Sequence, residues 1–213
     1  MGTGKTVQVL ALLSALLHKS GTNRDLKELK KRRKIANDWT AEEERRRNQA
    51  LEQGDIYREA DAAPVPQHLP PWAPVLILAP SSILDNWITD SNTWGHFQMV
   101  IYHSKDDYAG INEIRNGASE ILLVSHKLFE MEGHFAVLNK IAWKLVVVDE
   151  HHKLKNPKAK AAINLGELRD THCTPVIGLT GTVMQNNHRG TFFLDLSMFF
   201  RSLSLHCCQN CIV

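Results

Sequence analysis

Nothing in the sequence approaches the roughly 18 consecutive apolar residues that a bilayer-spanning helix needs. Cysteine is scarce too, with four in 213 residues, too few for the disulfide framework of a small secreted domain. Cys173 stands alone, while Cys207, Cys208 and Cys211 crowd the last seven positions. With His206 they offer part of a zinc ligand set, but no second pair at finger spacing joins them. A prenylation signal needs cysteine at the fourth position from the end, and Asn210 sits there. An excess of either charge is also missing. The 25 Lys and Arg nearly cancel the 23 Asp and Glu, leaving +2, so bulk charge draws neither nucleic acid nor membrane. What is present is a 43% hydrophobic share, enough for a sizeable core and against global disorder. A reduced intracellular protein is the expectation, and any case for DNA must rest on local motifs.

Two targeting patterns compete at the start of the chain. Lys5 followed by Val7–Leu17 resembles a short secretory signal, and Met1, Gly2 and Thr6 fit the myristoylation pattern. The rest of the chain accounts for the same residues better. Apolar runs recur at Val75–Ala79, Gln98–Tyr102, Glu120–Ser125, Lys144–Val148 and Pro175–Leu179. Such near-continuous runs suit parallel strands buried on both faces. Helix-like stretches lie between them at Ser81–Thr93, Lys105–Asn116, His134–Ile141 and Lys158–Arg169. Strand alternating with helix predicts an α/β fold, a mainly parallel sheet with helices on both faces. Function is then expected at the carboxyl ends of the strands.

One segment breaks the alternation. From Arg24 to Ala60 about half the residues are charged, with both signs mixed, which reads as a solvated helix rather than a nucleic-acid patch. Asp61–Pro74 holds five of the eight prolines and reads as an extended linker. Residues 24–74 are therefore expected to loop out as an insertion that packs little on the sheet. No internal repeat is visible.

Three clusters carry chemistry. Gly2-Thr3-Gly4-Lys5-Thr6 has the form of the end of a phosphate-binding loop: the glycines let backbone N–H groups face phosphate oxygens. Lys5 would reach the β- and γ-phosphates and the Thr6 hydroxyl would bind Mg²⁺, at the positive end of a helix. Next is Leu145-Val146-Val147-Val148-Asp149-Glu150. Acids at the end of a buried strand are costly unless they bind something. Asp149 is the expected Mg²⁺ ligand, usually through water, and Glu150 the base that accepts a proton from attacking water. His151-His152 lacks the His-Glu-x-x-His spacing of a zinc protease. Third is Leu179-Thr180-Gly181-Thr182 with Gln185-Asn186-Asn187, small residues that let backbone approach closely; an ordinary glycine turn with a helix cap fits the same residues.

In that order the motifs resemble the first motor lobe of Snf2-type ATPases, helicase-like proteins that translocate on double-stranded DNA. Gly2–Thr6 with Gln8 is similar to motif I, although the usual Asp-Glu before Met lies outside the chain. Pro80-Ser81-Ser82-Ile83-Leu84-Asp85-Asn86-Trp87 is similar to motif Ia. Asp149-Glu150-His151-His152 with Leu154-Lys155-Asn156 resembles motif II. Leu179–Thr182 with Gln185–Asn187 resembles motif III, with Val183 in place of the usual proline. The match runs from Met1 to about Asn187.

The resemblance implies a RecA-like P-loop NTPase lobe over residues 1–200, with 201–213 as a tail outside the family pattern. ATP and Mg²⁺ are the implied cofactors, double-stranded DNA or chromatin the partner, and the nucleus the location. Gly2, Thr3, Gly4, Lys5 and Thr6 would hold nucleotide. Thr180, Gly181, Thr182 and Gln185 would couple its state to DNA grip. Motif Ia and Ser125-His126, which resembles motif Ib, would face the DNA backbone, with Trp87 read as a packing residue. Family members also carry a second lobe whose arginines contact the transferred phosphate. Only 26 residues follow Asn187, so a fragment without useful ATP turnover is expected. The competing expectation is a non-catalytic piece that holds nucleotide or a partner. An RNA helicase fits less well, because His151 and His152 stand where Ala-Asp would.

Overall fold

The computed structural model of the chain describes residues 4–53, 74–104, 108–151 and 156–179. The five apolar runs form strands β1 (Val75–Ala79), β2 (Met99–Ile101), β3 (Ile121–Ser125), β4 (Leu145–Val148) and β5 (Val176–Gly178). All pair in parallel, in the order β2-β3-β1-β4-β5. Val75 lies opposite Ile121 on one side and Leu145 on the other, which makes β1 the central strand. All five of its residues are buried, as a strand covered on both faces requires.

Alternation along the strands divides the core in two. Ile77, Leu123 and Val147 meet Leu10 and Leu13 of α1 (Lys5–Leu16) and Trp87 of α3 (Leu84–Trp94). Leu76, Leu78, Val124 and Val148 form the other face. Against them pack Ile111 and Ile114 of α4 (Tyr108–Arg115), Phe129 of α5 (His126–Glu130), Leu138 of α6 (Glu132–Leu138) and Leu165 of α7 (Lys160–His172). The expected α/β sheet with helices on both faces is what forms. Trp87 is buried in the core. A 3₁₀ turn at Ser81–Ile83 opens α3. Sequence periodicity missed α5, because its start depends on a cap: the Ser125 hydroxyl accepts a hydrogen bond from the Leu128 amide.

The charged segment corrects its sequence reading. It is helical, as α2 (Asn23–Glu52), but it does not stand away from the sheet. Arg32, Ala36 and Thr40 recur at four-residue spacing, which places them on one face. Arg32 Nη1 donates to Glu120 Oε1 at 2.9 Å, Ala36 is fully buried, and Asn116 Nδ2 donates to Thr40 Oγ1 at 2.9 Å. Lys19, just after α1, also donates to Glu120 Oε1, at 2.6 Å, and the Gln98 amide donates to Glu120 Oε2. Glu120 is 2% exposed and sits just before β3. One buried carboxylate thus ties α1, α2 and the amino-terminal ends of β2 and β3 together. Composition hid this because a buried anion holding two cations looks the same in a sequence as a solvated charge. The Asp61–Pro74 linker reading falls outside the described residues, apart from Pro74.

Asp25 secures the turn into α2. It accepts hydrogen bonds from the Ser20 amide and hydroxyl and from the Gly21 amide. Burial alone raises its pKa, but these bonds and the nearby Lys19 outweigh it and hold the carboxyl below its ordinary range.

Candidate nucleotide site

The site begins where α1 does. Gly4 caps the helix at φ 66° and ψ 17°, a left-handed conformation open to glycine without a Cβ penalty. Its carbonyl accepts from the Gln8 amide at 2.9 Å, so Lys5 and Thr6 fall in the first turn. That turn contains no acidic side chain, and none caps it. Its free amides and the helix dipole therefore favour an anion. Burial of Val9, Leu10 and Leu13 against the sheet fixes where this turn points.

The second half of the site lies past β4. Asp149 donates its amide to the Leu78 carbonyl at 2.7 Å, and the His151 amide donates to the Leu179 carbonyl at 2.8 Å. Between them the chain turns sharply. Glu150 adopts φ 51°, a conformation uncommon for a residue with a side chain and worth about 1 kcal/mol or more of strain. The Glu150 amide donates to Asp149 Oδ1 at 2.8 Å, which helps hold the turn. Lys5 Nζ then lies 3.1 Å from Glu150 Oε1 and 4.0 Å from Asp149 Oδ1. The Asp149 side chain is 7% exposed, while those of Lys5 and Glu150 are 23% and 31% exposed. One cation therefore faces two carboxylates at the mouth of a partly open site, 144 residues away from the nearer of them in sequence.

Two further contacts brace the acidic turn. His126 Nε2 lies 2.8 Å from the Asp149 carbonyl oxygen; since that oxygen only accepts, Nε2 carries the proton. The end of β3 is thereby joined to the end of β4. His151 is buried, and its ring lies over Gly178, where an added Cβ would come within 2.7 Å of Cγ. A side chain at 178 would push the ring away. Neither contact has a local signal, since each depends on which strands become neighbours.

Lys5 and Thr6 of the loop, and both acids, are thus accounted for in the structure. Gly2, Thr3, Thr180, Gly181, Thr182 and Gln185 lie outside the described residues, as does His152. On the same edge of the sheet, an open cleft of about 210 Å³ is lined by Ser81, Asp85, Ile101, His103, Ser125 and Leu128, among others. It brings the segments that resemble motifs Ia and Ib together. Among the described residues, no three His, Cys, Asp or Glu side chains cluster as a metal cage, and no helix is long and apolar enough to cross a membrane.

Residues 1–204 match the SNF2-related domain, reaching into the segment read as a tail. The chain is 31% identical over 192 residues to a Mus musculus protein named DNA excision repair protein ERCC-6-like 2, covering 88% of this chain and 10% of that protein. It is 30% identical over 187 residues to Switch 2 of Arabidopsis thaliana, covering 87% and 17% respectively. A third relative is human SWI/SNF-related matrix-associated actin-dependent regulator of chromatin subfamily A member 1. There the identity is 31% over 118 residues, covering 54% of this chain and 11% of that protein. The chain thus spans only 10–17% of the length of these relatives.

Proposed function

The chain belongs to the SNF2-related family, and on that premise we propose that it is the ATP-binding lobe of a DNA translocase acting in chromatin remodelling or DNA repair. The observation that carries this reading is the approach of Lys5 to Asp149 and Glu150. In it, Gly2, Thr3, Gly4, Lys5 and Thr6 cradle the phosphates. The Lys5 ammonium leaves its carboxylates for the β- and γ-phosphate oxygens. That move frees Glu150 to orient a water molecule and accept its proton. Thr180, Gly181, Thr182 and Gln185 keep their proposed coupling role.

The residues present fit Mg²⁺. It takes oxygen ligands and is commonly held by one or two protein groups together with phosphates and water, not by a dedicated cage. The Thr6 hydroxyl and the Asp149 carboxylate supply that kind of donor set, and Asp149 is buried with only Lys5 as a nearby described cation. When bound, the ion would neutralise phosphate charge. The chain's own part is to hold Asp149 still, through the Leu78 carbonyl, the Glu150 amide and His126.

Double-stranded DNA is the proposed partner and the nucleus the proposed location. The cleft between Ser81 and Ser125 would take the DNA backbone through hydroxyl and amide contacts that position without reading sequence. Arginine fingers are worth about 10³–10⁵ in rate for related phosphoryl transfers. In this reading such arginines come from a second lobe, so this lobe by itself binds Mg-ATP without useful turnover. Calorimetric titration with Mg-ATP tests the reading, together with phosphate release in the presence and absence of duplex DNA. Binding that disappears in Lys5→Ala supports it. Equal binding by Lys5→Ala sinks the nucleotide site, and DNA-stimulated release lost in Glu150→Gln would show the lobe sufficient for turnover.

A further inference from the structure

The docking of α2 fixes its rotation, and this has a consequence for its outer face. Seven of the twelve residues from Asn23 to Lys34 are cationic and two are acidic. Arg32 turns inward to Glu120, and Asp25 turns inward to Ser20 and Gly21. At 100° per residue, Lys27, Lys30, Lys31 and Lys34 centre roughly opposite the docked stripe of Arg32, Ala36 and Thr40. All four lysines are exposed. Among the described residues no carboxylate pairs with any of them, whereas further along the helix Arg45 and Arg46 both pair with Glu42, at 3.2 and 3.5 Å. The second half of α2 compensates its own charge and the first half does not.

We propose that this lysine face is a second contact for the phosphate backbone of double-stranded DNA, at the opposite end of the sheet from the nucleotide site. The four ammonium groups span about 10 Å of helix, a length that meets two or three phosphates. The face is made of the four lysines with the exposed Arg24 at its amino-terminal end and no aromatic anchor of the kind that concentrates affinity in protein interfaces, and lysine acts on phosphate as a point charge. Those features favour a sequence-independent polyanion over an acidic peptide. Glu120 lies at the start of β3 and the cleft at its end, a five-residue strand or roughly 17 Å apart, and the lysine face lies beyond Glu120 by about the width of α2. The proposal rests on duplex DNA being the partner, but it does not depend on the nucleotide site.

Fluorescence anisotropy with a 20-base-pair duplex, without nucleotide, tests it on the whole chain across a salt series. Changing Lys27, Lys30, Lys31 and Lys34 to Gln alters only exposed positions, and circular dichroism verifies the fold. The expected result is an affinity at least tenfold lower at low salt, and a log K against log salt slope shallower by about 2–3, from roughly 0.9 per phosphate contact. Arg45→Gln with Arg46→Gln should stay within twofold of the parent. Unchanged affinity and slope in the lysine variant would overturn the proposal, as would polyglutamate of equal charge competing as well as the duplex. Since no nucleotide is present, loss of this contact and failure of the nucleotide site are read separately.

Discussion

Replacing Glu120 by alanine removes the anion on which Lys19 and Arg32 converge, at 2.6 and 2.9 Å. The carboxylate side chain is 3% exposed, and those of its partners are 7% and 12% exposed. Two almost buried cations would lose the carboxylate they share, a change that costs about 3–5 kcal/mol. Both are long side chains that can swing their heads toward water, so the lower end, about 3 kcal/mol, is expected. For a chain of this size that lowers Tm by roughly 6–12 °C. Screening acts weakly on a buried pair, so 1 M salt should change the loss little. Replacing the three charges together, as Lys19→Met, Arg32→Met and Glu120→Leu, should recover most of it, since no buried charge is then stranded. Thermal unfolding followed by circular dichroism reads all three variants. A Glu120→Ala transition within 2 °C of the parent, about the effect expected from losing an exposed pair, would refute the clamp and return α2 to the solvated excursion that its composition suggests.

Three other perturbations test separate parts of the structure. Leu13→Ala opens the core under α1 and should cost about 2–5 kcal/mol, read as a lower denaturant midpoint; an unchanged midpoint would mean that α1 is not seated on the sheet. Gly178→Ala places a methyl against the His151 ring and should cost about 1–3 kcal/mol by overpacking, with unfolding in urea as the assay and a neutral result contradicting the ring's position. The Asp25 carboxyl is held below its ordinary pKa, so it contributes stability that is fully present above its unfolded value of about 3.9 and lost as pH falls through the lower folded value. The stability gap between the parent and Asp25→Asn should therefore be constant at neutral pH and shrink as the solution is taken below about pH 4; a gap unchanged down to pH 2.5 would contradict the bonding at Ser20 and Gly21.

The sheet was legible because its inner strands β1, β3 and β4 are buried on both faces, and burial on both faces writes itself into the sequence as an uninterrupted apolar run. Val75–Ala79 needs no neighbour to be recognised. Lys5, Asp149 and Glu150 were legible for a related reason: their chemistry depends on residue type at the edge of such a run. Long-range polar contacts were not. Glu120 precedes β3 as an ordinary acid, and only the folded chain brings Lys19 and Arg32 to it from 101 and 88 residues away. His126 read as a residue facing DNA, yet its Nε2 is engaged with the Asp149 carbonyl, a bond that exists because β1, which separates β3 from β4, lets their ends converge. Gly178 gave no hint of the ring above it.

Amine-selective labelling of the folded chain by acetic anhydride, with each lysine read by mass spectrometry, addresses the nucleotide site most directly. Mg-ATP should slow modification of Lys5 several-fold while leaving Lys27, Lys30, Lys31 and Lys34 on α2 unchanged. Lys5 modification that proceeds at the same rate at saturating Mg-ATP would contradict the claim that it holds the phosphates.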